Sequence, residues 1–495
     1  MATPIPENHA AFTTASIAEA TGGRVARGEG KSVLGVTTDS RAVVRGGAFV
    51  ALRGERSDGH AFLSDASRAG AHVVVVERGR APADLVADVV EVDDTLRAWG
   101  DLARAHLRAW RRASNGARVV AITGSAGKTT TKELCAAMLR NVGGCHATAG
   151  NLNNRIGLPA VALAIDDTAR FAVLEAGMSL RGEIAALGSI GEPDVAVITN
   201  VGIAHAEGVG GTRDDVAREK GALFEAIREG GVAVVNADDD AATSQLPRSR
   251  GARVVSFGFA SAATYRLAGR TSLGLRGSRL RITRRGESLE VDLPLLGEAA
   301  AIDFVAALAA AEAASGAPFD AAELTGALAR HAALGHGAGR GEVRRLGDGT
   351  LVIDDSYNAN PASVRAALRS LAELGRAESR RTVAVLGEMK ELGPTEAEEH
   401  DALGVAIAEA GIALVIGCGG LVDRTLDRAA RAGVTVVKAQ STERAAEEAV
   451  ARVCAGDVVL VKGSRSVGTE RVVDALARSR GDADGTAAAT TRGGT

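Results

Sequence analysis

The run Val119-Val120-Ala121-Ile122-Thr123 stops at Gly124-Ser125-Ala126-Gly127, and Lys128-Thr129-Thr130 opens a helical pattern reaching about Arg140. A β-branched stretch, a glycine bend and a helix start, in that order, constrain this chain more than any other feature. Gly124 and Gly127 allow a tight turn that points backbone N–H groups inward, as a bound phosphate requires. The new helix adds the positive end of its dipole at the same place. Lys128 supplies a point charge for outer phosphates, and the Thr129 hydroxyl is suited to Mg²⁺. The usual spacing leaves four residues between the first glycine and Gly-Lys, and that first position is Ile122 here. Gly124, Ser125, Ala126, Gly127, Lys128, Thr129 and Thr130 are therefore expected to hold a nucleoside triphosphate. An ordinary strand-to-helix turn is the competing reading.

The remaining composition narrows the class. The chain has 495 residues, enough for about three domains. With 46% hydrophobic and 24% charged residues it is expected to be soluble and globular. A net charge of −3 and 3% aromatics offer neither a basic surface nor stacking platforms, so no nucleic-acid partner is expected. Cys135, Cys145, Cys418 and Cys454 lack metal-type spacing and are expected to be reduced and buried, in a cytoplasmic chain. The opening Met1-Ala2-Thr3-Pro4 segment does not read as a signal peptide. Ala299 to Ala314 carries Asp303 and Glu312, which argues for a packed helix and against membrane insertion.

Taken in order, the chain reads as α/β throughout. Residues 1–113 alternate strands, at 49–52 and 73–76, with helices at 61–69 and 96–112. Between them lie two polar loops, Thr38-Asp39-Ser40-Arg41 and Gly54 to His60, suited to a sugar or pyrophosphate or simply solvated. Residues 114–337 form the nucleotide unit. Its loop Gly150-Asn151-Leu152-Asn153-Asn154 offers amides to a polar ligand. Its strand 171–174 ends in Glu175, where a carboxylate can hold Mg²⁺. The strand 195–198 leads to His205, and a helix carries Lys220, by default a solvent-facing charge. From Arg253 to Leu296 the period turns to two, which suggests a small antiparallel appendage. Residues 338–480 repeat strand and helix five times, the pattern of an open doubly wound sheet. The Gly-, Ala- and Thr-rich tail 481–495 is expected to be disordered.

The order of these motifs resembles the Mur ligases of peptidoglycan synthesis over roughly residues 30 to 475. The resemblance is carried by Thr38 to Arg41, Gly54 to His60, Thr123 to Thr130, Gly150 to Asn154, Glu175 and Asn200 to His205. It continues through Glu219-Lys220-Gly221, Gly339-Arg340-Gly341, Asp354 to Pro361 and Lys462 to Ser466. The stretches Asp354 to Pro361, Gly150 to Asn154 and Gly387 to Gly393 look like the branch that adds D-Ala-D-Ala, and no Asp-Asn-Pro-type diamino-acid signature is present. One departure stands out. The family usually shows Gly-x-His-Asn-x-x-Asn on the adenine side, whereas this chain has Gly297-Glu298-Ala299-Ala300-Ala301-Ile302-Asp303.

The resemblance implies three domains: a UDP-substrate domain (1–113), an ATP-binding domain (114–337) and a Rossmann-like ligase domain (338–480). It implies ATP-driven joining of D-Ala-D-Ala to UDP-N-acetylmuramoyl-tripeptide through an acyl phosphate, by a monomer. Lys128, Glu175, His205 and Lys220 would be catalytic. Thr129 and Glu175 would hold one Mg²⁺, and His205 with a carbamylated Lys220 a second. Arg340 and Asp355 would reach ATP from the third domain. Ser40, Arg41, Asn151, Asn153, Asn154, Tyr357, Asn358 and Asn360 would contact the other substrates. The glycine-rich stretch 334–341 would be the hinge of domain closure, and the altered 297–303 segment implies changed nucleotide affinity with the chemistry kept. A ligase adding a diamino acid to the UDP-muramoyl-dipeptide and a nucleotide-driven switch or kinase remain alternatives.

Overall fold

Residues such as Val119, Val120 and Ile122 have no exposed face, so their strand must lie inside a sheet covered on both sides. In the computed structural model, which describes residues 3–54, 57–334 and 339–482, it does. Strand Arg118–Thr123 sits within a nine-stranded sheet, between Val195–Ile198 and Ala169–Glu175. Gly144–Ala147 forms one edge, and Val232–Asn236 and Arg253–Gly258 continue the sheet on the other side. All of these neighbours pair parallel. Tyr265–Ser272, Ser278–Arg284 and Glu287–Leu293 then extend the sheet as an antiparallel meander. The expected appendage is therefore continuous with the parallel sheet, and Arg253–Gly258 belongs to its parallel part.

Register decides where the chemistry can sit. Glu175 pairs with Ile122, and Ile198 with Thr123, so three strands end together. The chain leaves Arg118–Thr123 toward one side of the sheet and later returns to its other side, which opens a crevice beyond the carboxyl ends. The helix Gly297–Ser315 packs behind this crevice against helix Lys128–Leu139, with Ala301, Phe304 to Ala311 and Ala314 buried. Its many alanines let the helices approach closely, and no described helix is long and apolar enough to cross a membrane. Of its buried carboxylates, Glu312 is accommodated locally: it accepts the Tyr265 hydroxyl at 2.6 Å and pairs with Arg284.

Two sheets of five and six strands flank this unit, and Ala11–Thr13 pairs antiparallel with Ser32–Leu34 in a separate two-stranded sheet. The first has the order Arg24–Arg27, Asp88–Val92, Val73–Glu77, Ala48–Val50, Val36–Thr37, antiparallel only at its first pair. Helix Thr95–Ala113 carries both tryptophans of the chain onto the central unit. Trp99 donates to Ile156 O at 2.9 Å and Trp110 to Ala169 O at 3.0 Å. The last sheet has six strands, from Glu342–Arg345 through Leu351–Asp355, Val458–Lys462, Thr382–Leu386 and Leu414–Gly417 to Thr435–Lys438. Five of them pair parallel, and Glu342–Arg345 is an antiparallel edge absent from the sequence expectation.

Three expectations change, and three stretches stay untested. The helix expected over 61–69 is a 3₁₀ turn, Gly59–Phe62, followed by α-helix Leu63–Arg68, because Asp58 caps the tighter turn through His60 N. Cys454 is exposed and Cys145 half-buried, so of the four free cysteines only Cys135 and Cys418 are buried. Lys220 is buried, not solvent-facing. Residues 55–56 of the first-domain loop, 335–338 of the expected hinge and 483–495 of the expected disordered tail lie outside the described residues.

Candidate functional site

The glycine bend is held by its neighbours before any ligand arrives. Gly127 precedes helix Lys128–Leu139 with φ 78°, a left-handed conformation that favours glycine. A Cβ there would overlap the Asp303 carboxylate, and one on Gly124 would overlap the Thr199 hydroxyl. From the facing loop, Asn200 O accepts from Ser125 N at 3.0 Å and Asn200 Oδ1 from Ala126 N at 2.9 Å. Thr199 Oγ1 and Asn200 Nδ2 both donate to Ala126 O, at 2.6 and 3.0 Å, and Gly202 N donates to Ser125 Oγ. Lys128 Nζ donates to Gly124 O at 2.7 Å. Burial lowers its pKa, the Glu175 carboxylate opposes that shift, and the Arg340 charge adds to it.

Beside Lys128 lies a set of oxygen donors. Thr129 Oγ1 donates to Glu175 Oε2 at 2.9 Å, and Asn153 Nδ2 donates to Glu175 Oε1 at 2.8 Å. Glu175 is 1% exposed, and its backbone N–H bonds Thr148 Oγ1. The buried Lys132 donates to Thr148 O, which fixes the same loop from beneath. Thr130 makes no side-chain hydrogen bond among the described residues, and follows the others at the helix start.

Two further bases converge here. Lys220, on helix Arg213–Glu225, is 1% exposed and has no hydrogen bond or ion pair among the described residues. Its neighbour Glu219 instead caps Gly182 N and Ile184 N, each at 2.9 Å. Burial pushes the Lys220 ammonium well below its ordinary pKa, and the Lys128 charge adds to the effect. His205, with φ 62°, precedes the short helix Ala206–Val209. Burial lowers its pKa first and the charges of Lys128 and Lys220 also lower it, while Glu391 opposes them through a hydrogen bond to Nδ1. Among the described residues no three His, Cys, Asp or Glu side chains form a ready-made metal cluster.

The third sheet closes the crevice. Arg340 Nη1 donates to Thr129 Oγ1 at 2.7 Å, and its guanidinium stacks on Tyr357 at 3.9 Å from the ring centre. Asn360 caps helix Pro361–Ala377 and sends Nδ2 to Ser125 O at 3.3 Å. Asp355 lies one layer back, where Lys462 Nζ bonds its Oδ2 at 2.6 Å and also Asn358 O. Burial raises the Asp355 pKa, and Lys462 opposes that. The exposed Asn358 bonds Ala359 N.

The other candidates are arranged differently. Asn154 Oδ1 accepts from Ile156 N and Gly157 N at the start of helix Gly157–Leu163, so its amide oxygen is used within its own loop. Asn151 bonds Thr3 across to the N-terminal segment. Ser40 begins a short 3₁₀ turn, and Arg41 is exposed and paired with Asp39. Asp303 stands almost fully buried against Gly127 with no hydrogen-bond or ion-pair partner among the described residues, and burial pushes its pKa up to about 7. Sequence reasoning named the 199–205 loop but missed that Asn200 clamps the bend. It also missed Glu391, whose partner lies 186 positions away.

Comparison with known proteins places the chain in a family. Residues 32–106 match the model described as Mur ligase family, catalytic domain. Residues 122–311 match the Mur ligase middle domain, and residues 339–465 the glutamate ligase domain. The chain is 36% identical to the UDP-N-acetylmuramoyl-tripeptide–D-alanyl-D-alanine ligase of Escherichia coli (strain K12), over 89% of this chain and 93% of that one. It superposes on MurF from Acinetobacter baumannii with a TM-score of 0.82 and 29% identity, covering 96% of this chain and all of that one. On the MurF ligase of Thermotoga maritima, solved in complex with ADP, the TM-score is 0.76 at 29% identity, over 90% and 97% of the two chains. A glycine bend clamped by Asn200, a threonine and glutamate beside it, and an arginine reaching in from a third sheet thus occur in a chain that belongs to the Mur ligase family.

Proposed function

We propose that the chain is an ATP-dependent amide ligase that joins D-Ala-D-Ala to UDP-N-acetylmuramoyl-tripeptide in peptidoglycan precursor synthesis. The observation that carries this reading is the meeting of Lys128, Thr129 and Glu175 with Arg340 of the third sheet, at a preformed phosphate bend. The 36% identity to the E. coli UDP-N-acetylmuramoyl-tripeptide–D-alanyl-D-alanine ligase, over 89% of this chain and 93% of that one, supports the choice of substrates.

A carboxylate resists amide formation because it is anionic and lacks a good leaving group. Attack of its oxygen on the γ-phosphorus releases ADP and gives an acyl phosphate; the dipeptide amine then attacks the acyl carbon, and phosphate leaves with the C–O bonding pair. Two anions must meet in the first step, so the site has to supply concentrated positive charge. Lys128 and Arg340 do so, aided by the N-terminal end of helix Lys128–Leu139. Docking of the third sheet brings Arg340 and excludes water that would otherwise hydrolyse the acyl phosphate.

The residues fit Mg²⁺. Thr129 and Glu175 are hard oxygen donors in the sparse set that this ion uses when phosphates and water fill its remaining positions. When bound, Mg²⁺ neutralises phosphate charge and aligns the two anions. Lys220 fits the role of a carbamate that, with His205, holds a second ion. Carbamylation requires a neutral amine, and burial without a counter-ion disfavours the ammonium. The amine nitrogen bonds the carbon of CO₂ and loses a proton, which leaves an anion where an ammonium would repel a cation. Nucleotide-linked substrates make the cytoplasm the site of action. A monomer suffices, since every side chain named here comes from one chain.

Phosphate release measured with ATP and UDP-N-acetylmuramoyl-tripeptide should be stimulated by D-Ala-D-Ala and not by free diamino acids. Stimulation by a diamino acid with the UDP-muramoyl-dipeptide in its place would overturn the assignment.

A further inference from the structure

His205 and Glu391 face each other across the junction of the central and third sheets. His205 follows strand Val195–Ile198 of the central sheet, whereas Glu391 follows strand Thr382–Leu386 of the third. Six non-glycine residues among those described hold left-handed φ, and these are two of them, at 62° and 65°. Strained backbone on both sides of one contact is not what a casual surface pair requires. The loop carrying Glu391 is also built. His400, fully buried, accepts from Met389 N at 3.1 Å while its other nitrogen bonds Glu396 O. Ser464 Oγ accepts from Lys390 N at 2.9 Å, and Glu388 Oε1 accepts from Leu421 N. Two residues beyond, a Cβ on Gly393 would meet Glu207 at 3.6 Å, and the turn Gly393–Thr395 packs against helix Ala206–Val209, which follows His205.

The contact fixes the imidazole. A carboxylate at Nδ1 makes that nitrogen the N–H donor, which leaves Nε2 as the lone pair. Nε2 has no partner among the described residues. A histidine whose one nitrogen is held by a carboxylate, with the other free, is the arrangement that orients an imidazole for a metal ion and raises its basicity.

We propose that Glu391 is a positioning residue: it orients His205 Nε2 for the second divalent cation, so that this cation site is complete only when the third domain is docked. The proposal rests on the reading of His205 as a cation ligand given above. Its consequence is a linkage. A cation that binds the oriented imidazole better must, reciprocally, favour the docked arrangement of the domains.

The test uses the full-length protein with bicarbonate, UDP-N-acetylmuramoyl-tripeptide and a non-hydrolysable ATP analogue, titrated with Mn²⁺ and followed by electron paramagnetic resonance. Wild type should bind two ions. In Glu391→Ala the weaker site should lose about 10- to 100-fold in affinity, the range expected for removing such a carboxylate, while the tighter site stays within about twofold. Glu391→Gln should keep the weaker site within about threefold, because its amide oxygen still accepts from Nδ1. Two occupied sites in wild type with an unchanged weaker site in Glu391→Ala would overturn the proposal and leave the function standing. Equal weakening of both sites would also overturn it, since that is general loss of docking. A single Mn²⁺ in wild type would remove the His205 cation site itself, and the proposal with it.

Discussion

The Asp303 carboxyl stands against the phosphate bend, almost fully buried and without a hydrogen-bond or ion-pair partner among the described residues. Burial pushes its pKa up to about 7, from 3.8 in the open chain. Each pH unit of that difference is worth about 1.4 kcal/mol. Between the two values the native protein holds a proton that the unfolded chain has released. Stability is therefore whole below pH 4 and is lost as pH rises through 7. Relative to the unfolded chain, burying this carboxyl costs the native state roughly 2 kcal/mol at pH 5, where it holds its proton, and at most roughly 4 kcal/mol at pH 8, where it is ionised. Asp303→Asn keeps the shape and removes the charge, so its advantage over wild type should grow by roughly 3 kcal/mol between those two pH values. Urea unfolding read by tryptophan fluorescence is the assay, because Trp99 and Trp110 both pack onto the central unit and report the transition that exposes it. The same substitution should tighten ATP binding above pH 7, where the wild-type carboxylate would repel phosphates at the bend. A stability difference that is the same at pH 5 and pH 8 would refute the reasoning.

Other perturbations read out the rest of the site. Wild-type phosphate release should fall in CO₂-depleted buffer and recover on adding bicarbonate, whereas Lys220→Ala should be about 100-fold slower in kcat and indifferent to bicarbonate. Gly127→Ala must place a methyl group into the Asp303 carboxylate at φ 78°, and calorimetry should find ATP binding weakened by about tenfold or more. Arg340→Ala loses both its hydrogen bond to Thr129 and its stacking on Tyr357; steady-state kinetics should give a kcat/KM lower by about 10- to 100-fold. Glu312→Leu strands the buried Arg284 and should cost about 3–5 kcal/mol in urea unfolding, at unchanged spectroscopic fold.

The strands were legible because most are short runs of Val, Ile, Leu and Ala buried on both faces, such as Val73–Glu77 and Val458–Lys462. Glu342–Arg345 escaped because an edge strand needs only one partner and buries little, and its Glu-Val-Arg-Arg spelling carries no apolar run. The phosphate bend was legible for another reason: its requirements are local, and four or five consecutive residues state them. The burial of Lys220 was not, because the residues before it, Arg218 and Glu219, are charged, and that burial is imposed by elements distant in the chain. The loop Asn151 to Asn154 shows the same limit from the other side. Three asparagines with one spelling divide into a contact to Thr3, a hydrogen bond to Glu175 and a cap on the following helix. Residue type announces what a side chain can do, and the fold assigns which of those things it does.

Removal of water from one crevice acts with opposite sign on its two kinds of ionisable group. It lowers the pKa values of Lys128, His205 and Lys220, and it raises that of Asp303. Burial disfavours the proton on the lysine, which favours a nucleophile for CO₂, and it disfavours the proton on the histidine, which favours a lone pair for a cation. Glu175 has Thr129 and Asn153 as hydrogen-bond donors in its buried setting, and Glu391, on the exposed side of the junction, has His205. Among the described residues Asp303 has no such donor, so the altered segment at 297–303 is expected to make the bend itself sensitive to pH.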